Sequence, residues 1–276
     1  MQRVLTAVVL IPLVIALIFV SPRWPLLLIA VVFVVAALAL WEYLGLANLM
    51  GAKTPRVVAI VFLGILFAAI FRRPDLMAPV TAALSLAMLV VCSFRSPVTR
   101  VLPDTAYSVF GLIYVGLSMS TLYLLSTQDN GPSLLLFLLL VVWSGDIAAL
   151  YIGRAFGRWK LAPTLSPNKT WEGSIASVAG SALITLLLIW IAQVLGARDI
   201  DALMFPGSRW RWVGMAVLLN VAAQLGDLVE SAIKRGAGVK DSGHLLPGHG
   251  GMLDRIDALL LAAPLLWYAQ LAQQSF

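Results

Sequence analysis

The sequence predicts an all-α protein, a polytopic integral membrane helical bundle with about nine transmembrane helices. Hydrophobic residues make up 61% of the 276 positions and charged residues only 12%, whereas a soluble domain carries about 25% charged residues. The apolar residues also form long runs, as membrane-spanning helices require. A transmembrane β-barrel would show short segments of alternating hydrophobicity instead.

Nine apolar windows approach the roughly 20 residues that a helix needs to cross the hydrocarbon core of a membrane. The third window is short, and the fifth contains several polar residues. We predict spans at 4–20, 25–47, 57–71, 76–94, 107–126, 133–153, 173–195, 211–231 and 255–271.

The first window resembles a secretory signal peptide in length and hydrophobicity. A Ser-Pro-Arg-Trp-Pro segment follows it in place of a small-residue cleavage site, so we interpret the window as a retained first span. The chain divides into an N-terminal transmembrane part, residues 1–130 with spans 1–5, and a C-terminal part, residues 131–276 with spans 6–9. The second part contains the unusual polar segments described below.

The distribution of cations predicts the orientation of the chain. With nine spans, 13 Lys and Arg residues fall on one side and 6 on the other, together the 19 in the sequence. Because cationic loops stay in the cytoplasm, the N-terminus and the loops after spans 6 and 8 are predicted to face it. The net charge of +6 also fits contact with anionic lipids or phosphorylated substrates, so charge alone does not decide between these explanations.

An acidic residue lies near the end of span 6, and a basic segment follows it in the next loop. Asp146 lies in apolar sequence, where a carboxylate costs roughly 2.5–3.5 kcal/mol at mid-membrane; it predicts a structural ion pair or a metal or substrate role. In the following loop, Ser166-Pro167-Asn168 is a predicted turn. Lys169 and Thr170, with the free N–H groups that open span 7, would form an anion site. The alternative is a loop whose cations only set orientation.

Carboxylates cluster at the ends of spans 8 and 9. Asp227 and Glu230 are three residues apart, and Ser231 follows Asp227 by four, so all three share one helix face. Asp254 and Asp257 repeat the three-residue spacing at the start of span 9.

Such a set of carboxylates predicts a bound divalent cation. Unopposed carboxylates repel one another, and Mg²⁺ binds one or two carboxylates together with phosphate oxygens and water. Salt bridges to Lys234, Arg235 and Arg255 are the alternative. Among the carboxylates, Glu230 is the one for which we expect a purely structural role.

A glycine-rich segment, residues 236–251, connects the two helix ends and includes Lys240 and Asp241. Glycines allow backbone N–H groups to approach phosphates closely. We expect His249 to bind phosphate or to order the loop, whereas His244 can equally be without a functional role.

Residues 231–257, SAIKRGAGVKDSGHLLPGHGGMLDRID, resemble the complete signature of the phosphatidate cytidylyltransferases (CDP-diacylglycerol synthases). The segment 166–173 is similar to a second stretch of that family, in which a lysine usually stands at the position of Asn168. The segment 224–231 is also similar to the family. The resemblance covers roughly residues 140–260, and the N-terminal half matches only in hydropathy.

The resemblance implies a Mg²⁺-dependent enzyme that condenses CTP with phosphatidic acid to CDP-diacylglycerol and pyrophosphate. In the family, K⁺ can join the Mg²⁺. The compact length and the absence of targeting extensions predict an integral protein of the bacterial plasma (inner) membrane, and the count of cations predicts that its active site faces the cytoplasm. The partners are then the two substrates and the lipid bilayer, without nucleic acid; a homodimer is compatible with the sequence. The part 131–276 would be catalytic.

Residue roles follow from the resemblance and from the chemistry above. The predicted catalytic residues are Asp227, Asp254, Lys234, Lys240 and Asp241. The predicted substrate-binding residues are Ser166, Lys169, Thr170, Ser231, Arg235, His249, Gly250, Gly251 and Arg255. The predicted metal ligands are Asp227, Asp254, Asp146 and Asp257.

Two other functions remain open at this point. A CTP-dependent polyprenol or lipid kinase would transfer the γ-phosphate and leave CDP. A transporter of an anionic solute belongs to another class; transporters tend to have inverted repeats and helices broken at mid-membrane, and the sequence shows neither.

Overall fold

The computed structural model describes residues 2–243 and 250–274, with side chains from Ile11 onward and as far as Gln273. Each predicted span contains a helix. The helices are α1 (Gln2–Val20), α2 (Pro25–Leu49), α3 (Arg56–Arg72), α4 (Met77–Arg95), α5 (Val101–Gly111), α6 (Ser118–Ser126), α7 (Gly131–Phe156), α8 (Trp171–Gly196), α9 (Arg209–Gly236) and α10 (Leu253–Gln274).

The predicted fold class, a polytopic helical membrane bundle, is confirmed. Within the described residues, seven helical segments are long and apolar enough to cross a membrane. One of them, Val98–Ser126, joins α5 and α6 through a π-helical turn at Leu112–Leu117. The helix α3 is shorter, with 17 residues, and α1 is an apolar helix whose side chains are described from Ile11 to Val20. The third window is short because Arg72-Arg73-Pro74 interrupts the apolar run.

A two-stranded hairpin between α7 and α8 corrects one prediction. Strand β1 (Lys160–Ala162) pairs antiparallel with β2 (Ser166–Thr170). The turn therefore lies at residues 163–165, and the expected turn at Ser166-Pro167-Asn168 is wrong. Pro167 is compatible with this hairpin because each of the two strands is an edge strand, where a missing N–H does not interrupt a ladder.

Small and polar residues pack α7, α8 and α9 together. Asn220 of α9 donates from Nδ2 to the hydroxyl oxygens of Ser177 (2.9 Å) and Ser181 (2.8 Å) of α8. A Cβ added at Gly145 of α7 would collide with the same groups. Small residues let membrane helices approach closely and satisfy interhelical hydrogen bonds, so this packing fixes the position of α9.

The helices α9 and α10 cross where each carries its acidic residues. A Cβ at Gly226 would lie 2.5 Å from the carbonyl oxygen of Asp257, so only glycine permits this approach without a shift. α10 also packs against α2 and α6. The predicted parts 1–130 and 131–276 are thus in direct contact, and the division between them stays a prediction.

Candidate active site

Three carboxylates from α9 and α10 meet at the helix crossing. Oxygens of Asp227, Glu230 and Asp257 all lie within 4.8 Å of one another. Glu230 is fully buried, whereas Asp227 and Asp257 are partly accessible. The prediction that acidic residues of spans 8 and 9 come together is therefore confirmed by the geometry, with Glu230 as a member. The spacing of three residues had placed Glu230 on this face, but its role was expected to be structural only.

Asp254 lies beside this cluster and forms an ion pair with a lysine. Lys234 Nζ is 2.6 Å from Asp254 Oδ1 and 2.5 Å from Glu230 Oε2. The three side chains are 13% exposed for Lys234, 10% for Asp254 and 0% for Glu230. Asp254 was predicted as a metal ligand together with Asp227; in the described residues it is not a member of the group of close carboxylates. Part of the predicted salt-bridge alternative is therefore present at Lys234.

The other oxygen of Asp254 orders the glycine-rich segment. Asp254 Oδ2 accepts hydrogen bonds from the backbone N–H of Ser242 (3.0 Å), the Ser242 hydroxyl (2.9 Å) and the backbone N–H of Gly251 (2.7 Å). Gly250 has φ +78°, and a Cβ there would lie 2.8 Å from Asp254 Oδ2. Gly250 therefore allows the chain to wrap around this carboxylate, which explains that glycine without requiring a bound phosphate.

The hairpin brings Lys169 to the acidic cluster. Lys169 Nζ is 2.6 Å from Asp227 Oδ2, and the two side chains are 24% and 39% exposed. The loop after span 6 and the end of span 8 therefore lie at the same end of the helical bundle. Asp146 of α7 is exposed and interacts electrostatically with Asp227 and Lys169, so this fourth carboxylate faces the same site.

Thr170 and Ser231 make contacts within the protein. The Thr170 hydroxyl accepts from the Gly173 N–H at 3.2 Å and caps the N-terminus of α8. The Ser231 hydroxyl donates to Asp227 Oδ1 at 3.4 Å, and both hydroxyl-bearing residues are buried. Substrate contact by these two side chains stays a prediction, and the geometry gives each a structural function. Ser166 opens β2 and is partly buried.

Four of the remaining predicted residues have exposed side chains. Lys240, Asp241 and Arg255 are exposed. Arg235 is also exposed, and its Nη1 donates to the Val239 carbonyl at 3.0 Å. His249 and His244 lie outside the described residues, so the predicted role of His249 stays a prediction.

One residue of the site was missed by the sequence reasoning. Glu42 of α2 accepts hydrogen bonds at Oε2 from the Ser242 hydroxyl (3.1 Å) and from the Leu253 N–H (2.8 Å). Those partners are 200 and 211 positions away in the sequence. The only local signal was a carboxylate in an apolar run, in a part of the chain that matched the predicted family only in hydropathy.

Comparison with known proteins places the chain in a family. The sequence model of the Cytidylyltransferase family matches residues 1–272. The chain belongs to the cytidylyltransferase family. The predicted family resemblance is thereby confirmed, and it extends into the N-terminal half, where hydropathy alone had suggested it.

Curated relatives agree with this assignment. A protein of Brucella suis biovar 1 named "Phosphatidate cytidylyltransferase" is 42% identical over 187 residues, which cover 67% of this chain and 65% of the relative. A protein of Staphylococcus aureus (strain COL) with the same name is 33% identical over 240 residues, 84% of this chain and 85% of the relative. The chain thus spans slightly less than two thirds of the Brucella relative and most of the Staphylococcus relative.

Proposed function

We propose that this member of the family is a phosphatidate cytidylyltransferase. It would join CTP and phosphatidic acid to give CDP-diacylglycerol and pyrophosphate, a step of phospholipid biosynthesis. The names of its relatives support this activity, and so do the apolar helices, which would hold a lipid substrate within the membrane.

The observation that carries the proposal is the meeting of Asp227, Glu230 and Asp257 within 4.8 Å, directly beside Lys169 and Lys234. A nucleotidyl transfer between two phosphorylated substrates requires their negative charges to be neutralised while the reacting atoms are aligned. Carboxylates next to ammonium groups supply the ligands for a divalent cation and the contacts for phosphate oxygens in one place.

The donor set fits a hard divalent cation such as Mg²⁺. The three close side chains offer only carboxylate oxygens, which this ion prefers. Glu230 Oε1 is buried and has no hydrogen-bond partner among the described residues, although a buried acceptor is normally satisfied. Asp227, Glu230 and Asp257 would hold the ion, with Asp146 nearby. Bound there, Mg²⁺ would offset the charge of the nucleotide phosphates; an accompanying K⁺ stays a prediction.

The protein's own groups would mainly position the two substrates. An oxygen of the lipid phosphate attacks the α-phosphorus of CTP, a new P–O bond forms, and the bond to the β-phosphate oxygen breaks with release of pyrophosphate. Lys169 is partly exposed and uses one N–H towards Asp227; an ammonium has three donors, so two remain for phosphate oxygens. Lys240 and Arg235 at the exposed edge would contact the outer phosphates.

The setting of the enzyme is part of the proposal. The chain is an integral membrane protein with several apolar helices. We place it in the bacterial plasma membrane with the acidic cluster on the cytoplasmic side, because 13 of the 19 Lys and Arg residues fall on that side when nine spans are assumed. CTP would enter from the cytoplasm and phosphatidic acid from the bilayer; a homodimer stays a prediction.

The fate of two phosphorus labels tests this function. The purified full-length chain in lipid micelles receives phosphatidic acid, Mg²⁺ and CTP that is labelled either at the α- or at the γ-phosphate. We expect the α-label to enter the lipid and the γ-label to be released as pyrophosphate.

Other label patterns would overturn the proposal. Transfer of the γ-label to a polyprenol or another lipid, with release of CDP, would identify a CTP-dependent kinase. Absence of both transfers, with an anionic solute accumulating in vesicles that contain the protein, would identify a transporter. The Asp257→Asn variant is the matched control. It removes one of the close carboxylates, so it should transfer less α-label to the lipid than the wild type.

A further inference from the structure

Glu42 connects the first helices of the chain to the glycine-rich segment. It lies on α2, far in sequence from the signature residues, yet both of its described hydrogen bonds reach them. One donor is the Ser242 hydroxyl, which also contacts Asp254 Oδ2. The other is the N–H of Leu253, the first residue of α10.

The backbone at Gly243 and Gly251 packs tightly against the Glu42 carboxylate. A Cβ at Gly251 would collide with Glu42 Oε2 and with the Ser242 hydroxyl, and a Cβ at Gly243 would lie 2.5 Å from Glu42 Oε1. Glycines on both sides therefore let the backbone close around one carboxylate. Since the first N–H groups of a helix have no partner within it and favour a negative group, Glu42 acts as a cap for α10 supplied by another helix.

We propose that Glu42 is a positioning residue for the reaction, acting through Ser242 and the start of α10 to fix Asp254. The proposal rests on the proposed phosphatidate cytidylyltransferase activity. Asp254 in turn contacts Lys234, whose ammonium also touches Glu230 of the acidic cluster. A shift at Glu42 would thus be transmitted to the groups that surround the reacting phosphates.

The same helix provides a matched control residue. Asn48 also accepts one backbone and one hydroxyl hydrogen bond, from Thr54 N at 3.0 Å and Thr54 Oγ1 at 2.8 Å. These contacts stay within the connection between α2 and α3. Glu42→Ala and Asn48→Ala therefore remove the same kinds of hydrogen bond from α2, but only the first change reaches the glycine-rich segment.

Three variants of the full-length protein test the proposal through kcat and KM. Glu42→Ala should lower kcat by about 10- to 100-fold, the loss seen when a partner that orients a metal ligand is removed. Glu42→Gln should restore most of kcat, because the amide oxygen can accept both hydrogen bonds. Asn48→Ala should keep kcat close to wild type even where it lowers the thermal midpoint.

Hydrogen exchange of the α10 start gives a readout that does not depend on activity. The amides at residues 250–256 should exchange faster in Glu42→Ala than in wild type, and at the wild-type rate in Asn48→Ala. Unchanged exchange in Glu42→Ala would overturn the proposal. So would a Glu42→Gln variant as inactive as Glu42→Ala, or an Asn48→Ala variant that loses as much kcat. If the wild-type protein has no transferase activity, the proposed function is wrong. Hydrogen exchange in Glu42→Ala would still test whether the Glu42 contact orders the start of α10.

Discussion

Lys234 joins α9 to α10 by placing its ammonium 2.6 Å from Asp254 Oδ1. The same nitrogen lies 2.5 Å from Glu230 Oε2 on its own helix. All three side chains are almost completely removed from solvent. A buried charge without a partner destabilises the folded state far more than an exposed charge does. The Lys234 ammonium therefore compensates the buried charges of both carboxylates.

Replacing Lys234 should therefore destabilise the protein. We expect Lys234→Met to lower the free energy of unfolding by about 3–5 kcal/mol, since it leaves buried carboxylates uncompensated. Unfolding in mixed micelles of increasing SDS content measures the change. Arg235→Met is the control, because the exposed neighbour should change stability by less than about 1 kcal/mol. Equal stability of Lys234→Met and wild type would contradict this assignment.

Asp254 and Asp257 should respond differently to magnesium. Asp257→Asn removes a carboxylate of the close group and should raise the Mg²⁺ concentration for half-maximal activity by about tenfold or more. Asp254→Asn should abolish turnover while the protein stays folded and inserted, because it disturbs Lys234 and the glycine-rich segment together.

Magnesium binding followed by calorimetry measures the difference even in inactive variants. Loss of Mg²⁺ binding in Asp254→Asn, with normal binding in Asp257→Asn, would show that Asp254 is a ligand, as the sequence predicts, and would reject Asp257 as a ligand, which the sequence and the geometry both favour.

Gly226 should be intolerant of a side chain, unlike a second glycine on the same helix. Gly226→Ala places a methyl group against the Asp257 carbonyl, and such overpacking costs about 1–3 kcal/mol. Gly214 of α9 has nothing within 4 Å of an added Cβ, so Gly214→Ala should be neutral or stabilising by about 0.5–1 kcal/mol. Unfolding in SDS micelles compares the two. Similar effects of both changes would show that α9 and α10 do not cross closely here.

Thr170 should act through its hydroxyl as a helix cap. Thr170→Ala removes the acceptor for Gly173 N–H and should cost about 1 kcal/mol. Thr170→Ser retains the acceptor and should keep both stability and the KM for CTP. A Thr170→Ala variant with unchanged stability but a raised KM for CTP would instead support the predicted contact with substrate.

The Lys169 hairpin shows what local patterns can and cannot predict. The count of cations predicted that the loops after spans 6 and 8 lie on one side of the membrane, and the contact between Lys169 and Asp227 is compatible with this. The turn was misplaced because Ser, Pro and Asn favour turns only in the absence of a competing partner strand. Residues 160–162 supply that partner, and such pairing depends on residues outside the local window.

The sequence by itself determined that this is a membrane-embedded helical protein, the approximate positions of its helices and its family. Those properties depend on apolar runs and on a contiguous signature, both of which are local. Only the tertiary structure decided which carboxylates pair with which partners: Asp257 with Asp227 and Glu230, Asp254 with Lys234, and Glu42 with the glycine-rich segment. The physical reason is that the distances between these side chains depend on how the helices cross and on close approaches at glycines such as Gly226. Asp254 and Asp257, three residues apart on α10, therefore contact different residues of α9.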